Sequence, residues 1–103
     1  MNAVIESKWP DIRALCARRG VLRLSVFGSA ASEQFDSSRS DVDVLVEFQP
    51  MPPAQHADAY FALVAELERL FGRPVDLVEA EAIRNRYFLA AVKRSETVVY
   101  DAT

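Results

Sequence analysis

The chain has 103 residues, enough for one compact domain but too few for two domains that each bury a stable core. Its composition, 50% hydrophobic and 26% charged, excludes an intrinsically disordered segment. A net charge of -3 disfavours a long nucleic acid as partner, and no apolar run approaches the ~18 residues of a membrane span. Because the first residues also lack a signal-peptide pattern, we predict a single cytoplasmic domain over residues 1–103.

The first half of the chain predicts a helix and two strands. Apolar residues recur at helical spacing over residues 7–19, which predicts a helix there. Branched and aromatic residues at 21–27 predict a strand that ends at Gly28. Residues 30–40 begin with a short helical possibility, AASEQF, and continue as the polar loop DSSRS. A period of two over residues 41–48 predicts the second strand.

The second half of the chain predicts two helices and two further strands. A broad apolar stripe over residues 57–71 predicts a long helix, and Gly72 supplies its C-terminal stop. The segments PVDLVE at 74–79 and TVVY at 97–100 predict strands. Between them, a third main helix is marked by Ile83, Tyr87, Ala90 and Ala91. Because helices and strands alternate, we predict a small α/β (α+β) domain in which helices cover a mixed β-sheet.

A pair of carboxylates lies at the start of the second predicted strand. Asp41 and Asp43 are two residues apart, so their side chains leave the same face about 7 Å from each other. Carboxylates this close repel each other unless a cation offsets their charge. Hard oxygen ligands suit Mg²⁺ or Mn²⁺, and Mg²⁺ usually keeps substrate phosphates among its ligands. The pair therefore predicts a site at which a metal ion binds the phosphates of a nucleotide. The alternative is an edge strand whose inward-pointing charges protect it against aggregation.

Two further features of the sequence belong to the same prediction. Gly28 follows a strand and lets backbone amides approach a phosphate, while Ser29 offers a hydroxyl. Asp76 alternates with Val75 and Leu77, so we expect it to point away from the core and to join the pair. A third carboxylate would complete a two-metal arrangement or take a proton from an incoming hydroxyl. The residues alone leave both roles open, together with that of a simply exposed carboxylate.

The segment VFGSAASEQFDSSRSDVDVLVEF, taken together with PVDLVE, resembles the minimal nucleotidyltransferase family, whose fold is related to that of DNA polymerase beta. The resemblance runs from the first helix to the final TVVY, and it implies the nucleotidyltransferase fold. It also implies that Gly28 and Ser29 contact the nucleoside triphosphate. By the same resemblance, Asp41 and Asp43 bind the metal ions, and Asp76 is the third catalytic carboxylate.

Small stand-alone members of this family are usually antitoxins paired with a HEPN-domain ribonuclease toxin, and the better-studied members transfer AMP from ATP to a toxin tyrosine. The resemblance therefore implies an antitoxin that uses ATP and Mg²⁺ to modify a HEPN toxin within a hetero-oligomeric complex.

The chain departs from the family pattern directly after the Gly-Ser pair. Many members carry Arg-Gly there, whereas this chain has Ala31, Ser32 and Glu33. Because of this departure, a second function remains as an alternative, that of an antitoxin that neutralises its toxin by binding alone. Arg39 would either supply the missing positive charge or be solvated. Transfer of a nucleotide to RNA or to an antibiotic is less favoured, because the acidic chain has no predicted extra domain to bind such an acceptor.

Overall fold

The computed structural model describes residues 6–28 and 41–103 of the chain. In chain order its main elements are α1 (Trp9–Arg18), β1 (Val21–Phe27), β2 (Val42–Phe48), α2 (Pro53–Phe71), β3 (Val75–Glu79), α3 (Arg86–Ser95) and β4 (Thr97–Asp101). Every helix and strand predicted within the described ranges is present, and the expected short helix and loop at 30–40 lie outside them. No helix in these ranges is both long and apolar enough to cross a lipid bilayer.

The strands form a mixed sheet in the order β3-β2-β1-β4. Strand β1 is antiparallel to both of its neighbours, β2 and β4, whereas β2 and β3 are parallel. A parallel pair needs a crossover connection, and α2 supplies it between β2 and β3. This arrangement confirms the predicted fold class, a mixed sheet covered by helices.

Helices α1 and α2 cover one face of the sheet, and the larger hydrophobic core lies beneath them. Alternate residues of β2 point into this core, where Val42, Val44 and Val46 are fully buried. The helices contribute Ile12, Leu15, Cys16, Leu63, Leu67 and Phe71. A fully buried valine, leucine, isoleucine or phenylalanine side chain contributes about 1.5–3 kcal/mol to the free energy of folding. Burial also raises the pKa of the Cys16 thiol to about 12, so this side chain packs as a small hydrophobe.

Local turn chemistry determines where α2 begins and ends. Pro53 occupies its first position, where a backbone N–H would have no partner within the helix. Gly72 ends the helix in the left-handed conformation, with φ 67°, and its N–H donates to the carbonyl of Glu68 at 2.8 Å. The Glu68 side chain accepts from the backbone N–H of Val75 at 3.0 Å. The end of the helix is thereby tied to the start of β3.

The opposite face of the sheet is only partly covered, by α3 and by a short 3-10 turn at Ala80–Ala82. A smaller cluster is buried there, made of Phe27, Leu45 and Val92. The side chains of Asp43 and Asp76 are on the same face but stay partly or largely exposed. We call this side of the sheet the open face.

Helix α3 begins later than the sequence predicts. Apolar spacing places Ile83 in this helix, but Ile83 has an extended backbone with φ -76° and ψ 113°. Asn85 caps the helix, because its side-chain oxygen accepts from the N–H groups of Tyr87 and Phe88 at 2.9 and 3.1 Å. The cap starts the helix at the following residue, and Val92 is the residue of α3 that is buried.

Candidate active site on the open face of the sheet

A row of three side chains crosses the open face where the strands begin or end. The β1–β2 ladder pairs Phe27 with Asp43, and the β2–β3 ladder pairs Asp43 with Asp76. Paired residues point to the same face of a sheet, and neighbouring strands lie about 4.8 Å apart. The carboxylates of Asp43 and Asp76 are therefore neighbours, with the Phe27 ring on the other side of Asp43. Flanking Val75 and Leu77 are buried, so alternation directs Asp76 away from the core as expected.

Asp41 lies at the entrance to this row. It is exposed and precedes β2, so the strand ladder does not hold it. Within residues 6–28 and 41–103, no three Asp, Glu, His or Cys side chains already converge as a metal site. The structure thus pairs Asp43 with Asp76 on adjacent strands. Asp41 lies just before β2, close enough for its charge to act on Asp43.

The surroundings of Asp43 disfavour its ionised form. Partial burial removes some of the hydration of this carboxylate, and this is the largest effect that raises its pKa. The negative charges of Asp76 and then of Asp41 raise the pKa further. A bound cation is the kind of ligand that offsets both costs, because it attracts all three carboxylates.

Gly28 leaves the space that the Asp43 carboxylate occupies. Its φ is 63°, in the left-handed region that side chains other than glycine rarely adopt. A Cβ at this position would lie 2.7 Å from Oδ2 of Asp43, closer than non-bonded atoms approach. Alanine at position 28 would therefore strain the turn after β1 and push the Asp43 carboxylate from its position. Ser29, the other predicted nucleotide contact, lies outside the described residues.

Contacts from α2 hold β3, the edge strand that carries Asp76. The Tyr60 hydroxyl donates to the backbone carbonyl of Leu77 at 2.7 Å. His56 Nε2 lies 2.5 Å from Oε1 of Glu79, at the far end of the strand. Both contacts come from the helix-covered side of the sheet, so they fix β3 while the side of Asp76 stays accessible.

A polar cluster anchors the C-terminal end of α3 to β1. The Ser25 hydroxyl donates to Glu96 at 2.6 Å, and the Arg23 guanidinium donates to the same carboxylate at 2.9 Å. Burial acts to raise the pKa of Glu96, but these hydrogen bonds and the charges of Arg23 and Lys93 lower it overall. The sequence does not predict this cluster, because Ser25 and Glu96 are 71 positions apart and no local pattern joins them.

The ring of Phe88 extends the row beyond Phe27. The two ring centroids are 6.4 Å apart and the ring planes meet at 78°, an edge-to-face contact. Phe88 is not among the site residues predicted from the sequence. The signal that marks it is its spacing of four residues from the buried Val92, which places both side chains on one side of α3.

The sheet and the row on its open face are shared with a known protein family. The sequence profile described as "Nucleotidyltransferase domain" matches residues 12–100. This range includes strands β1 to β3, all of β4 except its last residue, and the row on the open face. The chain belongs to this nucleotidyltransferase domain family. The predicted resemblance to the minimal nucleotidyltransferases is also confirmed, by a solved structure. A solved structure described as "Structure of putative minimal nucleotidyltransferase" has a TM-score of 0.76 and 30% sequence identity, and the match covers 94% of this chain and 95% of that one.

Two further relatives come from a curated protein and from a solved complex. "Putative protein adenylyltransferase MJ0128" of Methanocaldococcus jannaschii is 35% identical over 80 residues, which are 78% of this chain and 76% of that protein. A structure of the tri-AMPylated Shewanella oneidensis HEPN toxin in complex with MNT antitoxin has a TM-score of 0.64 and 16% identity. That match covers 94% of this chain and 72% of the other chain, and at this identity it supports the fold alone.

Proposed function

We propose that this nucleotidyltransferase domain is a Mg²⁺-dependent protein adenylyltransferase that acts as the antitoxin of a HEPN-domain toxin. The observation that carries the proposal is the placement of Asp43 beside Asp76, over the space that Gly28 leaves. The 35% identical adenylyltransferase relative supports the choice of reaction. The HEPN partner is proposed from the family resemblance, together with the fold that the chain shares with the MNT antitoxin of the solved complex. We also propose that residues 1–103 form one domain that works in the cytoplasm, where ATP is available.

The side chains on the open face fit a hard divalent cation. We assign Asp41 and Asp43 to Mg²⁺ or Mn²⁺, with Asp76 as the third carboxylate, because these ions prefer oxygen ligands. When bound, the cation would neutralise charge on the triphosphate of ATP. Gly28 lets the backbone approach that triphosphate, and Ser29 would add a hydroxyl contact.

The reaction moves AMP to a tyrosine of the toxin. The phenolic oxygen forms a bond to the α-phosphorus of ATP, the bond from that phosphorus to the bridging oxygen breaks, and pyrophosphate leaves. The phenolic proton passes to a carboxylate on the open face. We assign this role to Asp76, because it is exposed while Asp43 is partly buried.

The test is transfer of label from ATP labelled at the α-phosphate to a co-purified HEPN partner in the presence of Mg²⁺. The Asp41→Asn, Asp43→Asn double variant should form the same complex and transfer no label. The matched control is Asp58→Asn, because Asp58 is an exposed carboxylate on α2, away from the row. Chelation of Mg²⁺ should abolish labelling by the native chain as well.

The same experiment separates the alternative function. A tight complex that neutralises the toxin without labelling, with or without the two aspartates, would show an antitoxin that acts by binding alone. Equal labelling by the native chain and the double variant would remove these aspartates from the mechanism.

A further inference from the structure

Phe88 is an exposed aromatic residue beside the carboxylate row. It is 47% exposed, although its ring contacts Phe27, whose cross-strand partner is Asp43. Phe61 and Tyr87 are also exposed among the described aromatic residues, at 70% and 77%, but no ring contact joins either of them to Phe27. Phe88 is thus the exposed ring that continues the row Asp76, Asp43, Phe27.

The backbone of α3 holds Phe88 in a defined position. The N–H of Phe88 itself donates to the capping side chain of Asn85 at 3.1 Å. One turn later, Val92 is buried against the sheet. The residue that follows the helix, Glu96, accepts a hydrogen bond from the Ser25 hydroxyl. Because the helix is fixed at both ends and the Phe88 ring packs against Phe27, the ring has less conformational freedom to lose when a ligand binds. This favours a preformed binding surface.

The two ends of the row suit the two ends of a nucleotide. The carboxylates suit a metal-bound triphosphate, whereas a nucleobase is a flat aromatic ring that gains most by stacking on another ring. We propose that Phe88 stacks on the base of the bound nucleotide. The inference rests on the proposed function, and it assigns base recognition to a residue outside the catalytic carboxylates. Because every base presents a π-face, this contact should bind ATP and GTP with similar strength.

The test measures binding to the purified chain by calorimetry with two probes and Mg²⁺. The first probe is α,β-methylene-ATP, which carries a base but cannot be cleaved between its α- and β-phosphates. The second is inorganic tripolyphosphate, which has no base. Phe88→Ala should weaken binding of the first probe roughly 10-fold, because it removes the ring on which the base stacks. Binding of tripolyphosphate should change less than about twofold, since it offers no ring to stack on.

Matched variants separate stacking from loss of structure. Phe88→Leu keeps an apolar contact with Phe27 but removes the ring, so it should weaken binding like Phe88→Ala. Phe88→Trp keeps a flat ring and should retain binding. Tyr87→Ala and Phe61→Ala remove the other exposed rings and should leave both probes unaffected; successive helical residues point about 100° apart, so Tyr87 faces another direction from Phe88.

The outcomes distinguish this inference from the proposed function. If the native chain binds the nucleotide probe and the Phe88 variants bind it equally well, base stacking on Phe88 is wrong and the carboxylate site stands. Base stacking is equally wrong if the variants weaken only the complex with the HEPN partner, because Phe88 would then contact protein. If the native chain binds neither probe, both the inference and the proposed nucleotide site are wrong.

Discussion

The two faces of the sheet use the same strands for different purposes. Along β2, Val42 and Val44 are fully buried under the helices, while Asp43 between them points to the open face. One face is filled by the side chains of α1 and α2, and the other leaves a row of carboxylates accessible beside α3. Because side chains alternate along a strand, neighbouring residues of β2 belong either to the core that stabilises the fold or to the candidate active site.

The largest expected effect tests the helix-covered face. Leu67 on α2 is fully buried, so Leu67→Ala should lower the free energy of unfolding by about 2–5 kcal/mol. Urea unfolding followed by circular dichroism measures the loss. Molecules of this variant that remain folded at low temperature should still bind α,β-methylene-ATP, because the open face is unchanged. A loss below about 1 kcal/mol would contradict the packing described for this core.

The second effect tests the open face. Asp43→Asn should reduce AMP transfer on the order of 100-fold or more, because the variant removes a charged group from the reaction site. The free energy of unfolding should stay the same or rise, because Asp43 is partly buried beside other negative charges. Label transfer and thermal unfolding measure the two results. A variant that is both inactive and clearly less stable would show that Asp43 has a structural role instead.

The third effect concerns the cluster that joins the two regions through α3. The side chain of Glu96 is only 6% exposed, and Glu96→Gln should cost about 1.5–3 kcal/mol near neutral pH by weakening hydrogen bonds to a charged group. Folding lowers the pKa of Glu96. The ionised Glu96 carboxylate therefore stabilises the fold fully above its unfolded pKa of about 4.3. This stabilisation is lost as the pH falls through the pKa of Glu96 in the folded state.

Unfolding curves from pH 7 to pH 3 check this sign. The difference between the native chain and Glu96→Gln should shrink as the solution is acidified, whereas the exposed Glu81→Gln should differ little at any pH. A difference that grows on acidification would contradict the lowered pKa.

The smallest effect compares two glycines with similar backbones. Gly28 and Gly72 have φ 63° and 67°, so alanine at either position should cost about 1 kcal/mol of stability. A Cβ at position 72 meets no atom within 4 Å, whereas one at position 28 meets the Asp43 carboxylate. Only Gly28→Ala should therefore lower AMP transfer as well. Equal activity of the two variants would show that the contact with Asp43 is unimportant.

Most of the fold could be predicted, because the signals for it are local. Alternation identified β2 and the outward direction of Asp76, and Gly72 ended α2 where expected. The predicted start of α3 was wrong, because the cap at Asn85 begins the helix after Ile83 although the apolar spacing includes that residue. The aspartates of the candidate site could be predicted because aspartate is unusual on a strand. Phe88 could not, because a phenylalanine on an amphipathic helix is common.

The sequence by itself determined which residues form the helices and strands, apart from the start of α3, and which side of the strand Asp43 and Asp76 take. These features follow from periods of two and 3.6 along the chain. Only the tertiary structure decided that Asp43 stands beside Asp76, that Glu96 meets Ser25, and that Phe88 packs on Phe27. The physical reason is that strand register and helix docking depend on the packing of the whole core, which joins residues far apart in the chain.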